Sequence, residues 1–216
     1  MTNPESGATT FDVARLRVAL VAAGRRLGHH GLISAGEGNL SVRLGDGTLL
    51  MTPSGRRKDE LVAADLLVVP EVAPKGETFA PGAPRPSSDL AIHRAAYLAR
   101  ADVYAVVHAH LPASMGLTLA GEVPDPQALP ETAHFIPRLP YLPFKTMGSA
   151  ELALDVALAL SSGSAPLPDA VLLERHGAVA VGMTLDQAVD RLELVEVLCR
   201  TWRDALLIRA AQRTLA

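Results

Sequence analysis

From residue 11 to about residue 30, the apolar positions Val13, Leu16, Leu20, Ala23 and Leu27 recur at helical spacing. That period predicts an amphipathic helix, and Gly31 can stop it. The period then changes to two: "NLSVRL" alternates, "GDG" turns and "TLLMT" returns, which predicts a β-hairpin over residues 39–52. "LLVVP" at 66–70 reads as a short buried strand, and the proline- and glycine-rich residues 71–86 read as a loop. Ser87 or Ser88 is expected to cap a helix reaching about Arg100. "VYAVVHAH" reads as a strand, and Pro112 opens a further helix to about Ala120. Residues 121–148 are rich in proline and carry no clear period. A helix follows at 149–160, and "AVLLERHGAVAVG" reads as two strands broken at "RHG". Thr184 and Gln187 form a T-x-x-Q capping box before a last long helix over 185–210. No repeat or linker interrupts the alternation of strands and helices, so one α/β domain spanning residues 1–216 is expected, with polar residues 1–10 as a flexible, frayed end.

Composition narrows the class. The chain has 216 residues, 49% hydrophobic and 20% charged, enough apolar surface for one sizeable core. A net charge of -3 and 4% aromatic residues argue against nucleic acid or an anionic membrane as partner, since both call for basic patches and the former for stacking rings. Cys199 is the single cysteine, so no intramolecular disulfide forms. With no leader-like segment and no apolar run long enough to span a bilayer, a cytoplasmic protein is expected.

The candidate chemistry starts at "AVVHAHLP". His108 and His110 stand two residues apart, so on a strand both rings project from one face, at its exit near the surface. His176, in "LLERHGAVAVG", also ends an apolar strand. Three imidazoles on one sheet edge leave an open coordination position, the arrangement of a catalytic zinc site; the alternative for each is an ordinary hydrogen-bonded histidine. "RPSSDLAIH" places Ser87, Ser88 and Asp89 at a helix start, where anions are favoured, or where they simply cap. "GEGNLS", with Gly38 and Asn39, and "MTPSG", with Ser54 and Gly55, can turn backbone N–H groups toward an anion, or can be plain turns.

The order of "GNLS", "TPSG", "PSSD", "VHAH" and "RHGAVAVG" along the chain resembles the class II aldolase/adducin family, in its L-fuculose-phosphate aldolase-like branch, from about residue 12 to 205. The resemblance implies a three-layer α/β/α sandwich around a mixed, largely antiparallel central sheet, assembled as a homotetramer. It implies Zn2+, or another divalent metal, on His108, His110, His176 and Asp89. It places Gly38, Asn39, Ser54, Gly55, Ser87 and Ser88 at the substrate phosphate. Asp89 stands where the aldolases usually carry glutamate as acid/base and resting metal ligand. Glu131, in "LPETAHF", falls in the segment where relatives place a second proton-transfer residue, a glutamate in methylthioribulose-phosphate dehydratases; Tyr97 and Tyr141 are less well placed. His29, His30, His93 and His134 match no ligand position and read as structural, and Trp202 reads as packing. The implied reaction is reversible cleavage of a ketose 1-phosphate to dihydroxyacetone phosphate and an aldehyde through a metal-stabilised enediolate. A dehydratase, an epimerase or a decarboxylase on the same fold is the alternative, with a small phosphorylated sugar as substrate in each case. The adducin branch, a cytoskeletal interaction module, lacks the metal ligands present here.

Overall fold

Residues 12–215 are described by a computed structural model of the chain. The frayed end expected for residues 1–10 lies outside them. Helix α1 (Val13–His29) opens at Asp12, whose carboxylate accepts from the N–H groups of Ala14 and Arg15. Strands β1 (Asn39–Arg43) and β2 (Thr48–Met51) form the expected hairpin, and β3 (Leu67–Pro70) adds to it. Then come α2 (Leu90–Ala99), β4 (Ala105–Ala109), α3 (Pro112–Leu119), α4 (Pro130–Phe135) and β5 (Tyr141–Leu142). Helix α5 (Ala150–Ser161), β6 (Ala170–Leu173), β7 (Gly177–Gly182) and α6 (Leu185–Thr214) complete the chain.

The strands form one sheet in the order β3-β2-β1-β4-β7-β6-β5. Every pairing is antiparallel except β5 with β6, so the sheet is mixed and largely antiparallel, as expected. Alternation along each strand sorts the side chains into two cores. Ala105, Val107 and Ala109 of β4, with Ala178 and Ala180 of β7, face one core together with α1, α3 and α6. Val106, Val179 and Val181 face the other, under α2 and α5. Small residues beneath α6 let that helix lie close to the sheet. His108 has the parity of Val106, so it points to the α2 side.

Three expectations are corrected. Residues 67–70 are apolar but form a sheet edge rather than a buried strand: Val68 is 50% exposed, because β3 pairs on one side only. Helix α2 is opened by Asp89 rather than by either serine, and no side chain caps it; Ser87 Oγ instead accepts from Asp89 N–H at 3.2 Å. The capping box at α6 is only half formed: Thr184 Oγ1 accepts from Gln187 N–H, while Gln187 Oε1 accepts from Met183 rather than Thr184. The unread segment 121–148 holds α4 and the two-residue strand β5. Among the described residues no helix is long and apolar enough to cross a membrane.

Candidate metal centre

His108 is on the last turn of β4's alternation before the strand ends, fully buried, with His110 just beyond it. The near-surface placement expected for both rings therefore holds only for His110, whose side chain is 20% exposed. β4 pairs with β7, and the β6–β7 connection brings His176 back over the same strand end. That connection needs left-handed backbone on both sides of the histidine, at Arg175 (φ 57) and Gly177 (φ 98). The three rings meet as a propeller, with centroids 5.0, 4.8 and 4.8 Å apart and interplanar angles of 61°, 66° and 66°. One nitrogen from each lies within 4.8 Å of the others.

The nitrogens are set for a cation. His108 Nδ1 bonds the carbonyl oxygen of Ala178 at 2.9 Å, so it carries the proton and leaves the Nε2 lone pair free. That Nε2, both ring nitrogens of His176 and Asp89 Oδ1 are buried without a hydrogen-bond partner. Buried polar atoms are rarely left so, and a divalent metal would satisfy His108 Nε2, one nitrogen of His176 and Asp89 Oδ1 together. Burial pushes the imidazoles of His108 and His176 below the ordinary value, which keeps them neutral.

Asp89 Oδ2 lies 3.9 Å from His108 Nε2. Burial raises its carboxyl pKa, but His108, the Asn39 hydrogen bond, His176 and His93 outweigh that and bring it below the usual carboxylate range. Asn39 Nδ2 donates to Asp89 Oδ2 at 3.0 Å and to Ser87 Oγ at 2.8 Å. Its Oδ1 therefore accepts from His93 Nε2. His93 Nδ1 is left to accept from Ser41 Oγ at 2.7 Å, which in turn accepts from the Tyr97 hydroxyl at 2.8 Å. One directed chain of hydrogen bonds thus runs from Tyr97 to the carboxylate. His93, read from the sequence as structural, is part of the support for Asp89, and Tyr97 closes the chain in the core.

The three loops named by sequence converge beside this cluster. Asn39 sits opposite His108 in the β1–β4 register. Ser54 N–H donates to Arg85 O at 2.8 Å, and Pro53 bridges to Pro86. Gly38 adopts φ +70, and a Cβ there would come within 3.0 Å of His108 O, so only glycine lets the loop close on the histidine strand. Ser54, Gly55 and Ser88 are exposed along the rim. Glu131 is exposed in the first turn of α4 and is not among the residues brought to the histidines. Trp202 is partly buried against the α6-side core.

Two neighbours escaped the sequence reading. Glu37 Oε2 lies 3.1 Å from His110 Nδ1. Lys58, in the polar run "RRKDE", is 1% exposed, and burial lowers its pKa to about 8, opposed by the charges of Asp89 and Glu37.

The neutral, buried His93 has a consequence for pH. Burial lowers its pKa to about 4, opposed by Asp89. Its folded value lies below the unfolded one of ~6.5, so between the two the unfolded chain binds the extra proton and stability falls as the pH falls. Chelator-treated protein is expected to lose on the order of 3 kcal/mol from this group between pH ~6.5 and pH ~4. Urea midpoints across that range, compared with His93→Gln, check it. Parallel curves for the two proteins would assign the loss to other groups.

The family profile described as Class II Aldolase and Adducin N-terminal domain matches residues 18–203. The 5-methylthioribulose-1-phosphate/5-deoxyribulose-1-phosphate aldolase of Rhodospirillum rubrum is 34% identical, covering 87% of this chain and 80% of that protein. The methylthioribulose-1-phosphate dehydratase of Granulibacter bethesdensis is 32% identical, over 84% of this chain and 87% of its own. Among solved structures, the L-fuculose-1-phosphate aldolase of Thermus thermophilus superposes with a TM-score of 0.78 at 33% identity, covering 92% of this chain and 97% of that one. Sheet order, histidine cluster and sequence agree, and the chain belongs to the class II aldolase and adducin N-terminal domain family.

Proposed function

We propose that the protein is a divalent-metal-dependent aldolase that cleaves a ketose 1-phosphate to dihydroxyacetone phosphate and an aldehyde. The observation that carries this reading is the meeting of three imidazoles, those of His108 and His176 with unpartnered buried nitrogens, beside the Asp89 carboxylate. His108, His110 and His176 would hold the metal, with Asp89 able to join them before substrate binds. A divalent cation held there supplies Lewis acidity toward the substrate's oxygens.

The remaining work falls to the chain itself. Gly38, Asn39, Ser54, Gly55, Ser87 and Ser88 surround the place for the phosphate, and anchoring it there fixes the reacting carbons relative to Asp89. Asn39 holds Asp89 Oδ2, which leaves Oδ1 as the atom to take up or return the proton. Aspartate is one methylene shorter than the glutamate of related aldolases, and the hydrogen-bonded chain behind Asn39 fixes where its carboxylate stops. Glu131 is assigned the second proton transfer. Its exposed position on α4 fits a role completed by a neighbouring copy, as in the homotetramer that the family likeness suggests. The one feature favouring a second reading, dehydration, is that Glu131 is a carboxylate, as at the matching position of the dehydratases.

The test is metal content measured alongside product. Purified protein is offered fuculose 1-phosphate, 5-methylthioribulose 1-phosphate and 5-deoxyribulose 1-phosphate. About one zinc per chain and release of dihydroxyacetone phosphate is the expected result. Bound zinc with a dehydrated product would move the assignment to the dehydratase, and protein that neither binds a divalent metal nor turns over any of the three would overturn both.

A further inference from the structure

Glu37 is the ionisable residue of the loop "GEGN", and both of its carboxylate oxygens are engaged. Oε1 accepts from Ser34 N–H at 2.7 Å, and Oε2 lies 3.1 Å from His110 Nδ1. The loop is held from below by Lys58, whose Nζ donates to Gly36 O at 2.6 Å and to Arg56 O at 2.8 Å. It is held from the far side by Gly38, which lies against His108 O. The carboxylate thus belongs to a segment braced at Ser34 and at the Gly36 carbonyl.

A carboxylate oxygen 3.1 Å from Nδ1 favours the tautomer with the proton on Nδ1 and the lone pair on Nε2. In His108 the same tautomer is set by a hydrogen bond to the carbonyl of Ala178. We propose that Glu37 is a positioning residue of the metal centre, which holds His110 in the Nδ1–H tautomer and orients its ring so that Nε2 is the ligand atom. The inference rests on the metal-centre reading above. A carboxylate partner also makes the imidazole a stronger donor than a neutral partner would.

The experiment uses the full chain stripped of metal with a chelator and titrated with zinc against a chromophoric competitor. Glu37→Ala is expected to weaken zinc binding by about 10- to 100-fold. Glu37→Gln, which keeps the shape and one acceptor oxygen, is expected to recover part of that loss. Zinc-loaded wild-type protein labelled with ¹⁵N-histidine should show His110 protonated at Nδ1, a reading that does not depend on either variant folding. Unchanged zinc affinity in folded Glu37→Ala, or a wild-type His110 with its proton on Nε2, would overturn the inference while leaving the metal centre standing. Wild-type protein that binds no zinc would overturn both.

Discussion

His110→Ala is expected to lose stoichiometric zinc and turnover together. Of the three imidazoles His110 is the most informative to remove, because its side chain is 20% exposed whereas His108 is sealed in the core. Alanine at 110 opens no closed cavity, so the metal-free fold should change in stability by less than about 1 kcal/mol. The chemistry loses much more. A Lewis acid contributes several kcal/mol to stabilising charge that develops in a reaction of this kind, which corresponds to roughly a thousand-fold or greater fall in turnover. Metal analysis and the product assay are run on the same preparation, with urea unfolding as the check on folding. Retained zinc at one per chain would falsify the three-histidine site.

The second large effect is structural and falls at Gly177. A Cβ there would lie 2.0 Å from Ala109 O, 2.8 Å from His110 Cα and 2.9 Å from Ala109 C. All three are backbone atoms of the histidine strand, so no flexible side chain can move aside. The residue also sits at φ +98, where an L side chain is strained in any surroundings. Gly177→Ala is therefore expected to cost about 4 kcal/mol or more, and to weaken zinc binding because the displaced backbone is that of Ala109 and His110. Gly47→Ala serves as the control. It has φ +81 with nothing within 4 Å of the added carbon, so it bears backbone strain alone and should cost about 1 kcal/mol. Similar urea midpoints for the two variants would show that close approach at Gly177 is not the constraint.

The parts of the site legible in the sequence were those that repeat a local geometry. His108 and His110 are two apart on a strand, and His176 is marked by an apolar run and a glycine. The hairpin, the long helices and the break at "RHG" likewise follow from period and turn chemistry. Glu37 and Lys58 were not legible from local pattern: Glu37 meets a residue 73 positions away in the chain, and Lys58 sits in a run of charges that ordinarily faces water. Asp89 was placed correctly at the helix start. Its turn away from the helix toward Asn39 could not be seen from local sequence, because capping and the actual contact use the same residue type. The two-residue strand β5 has no period at all, and β3 shows that an apolar run does not reveal whether it lies at the centre or the edge of a sheet.

The hydrogen-bonded chain from Tyr97 through Ser41, His93 and Asn39 also works as a gauge for strand alignment. Leu40 and Val42 face one core, and Asn39 and Ser41 face the other. A slip of β1 by a single residue against β4 would exchange those faces. It would present leucine to the imidazole and hydroxyl of α2, strand the Asp89 carboxylate, and push an amide and a hydroxyl into hydrocarbon. Apolar strands alone tolerate such misalignment, since one aliphatic side chain replaces another at modest cost. With four polar groups that can be satisfied in only one arrangement, a slipped pairing is disfavoured, and the register that places Asn39 opposite His108 is the one that satisfies them.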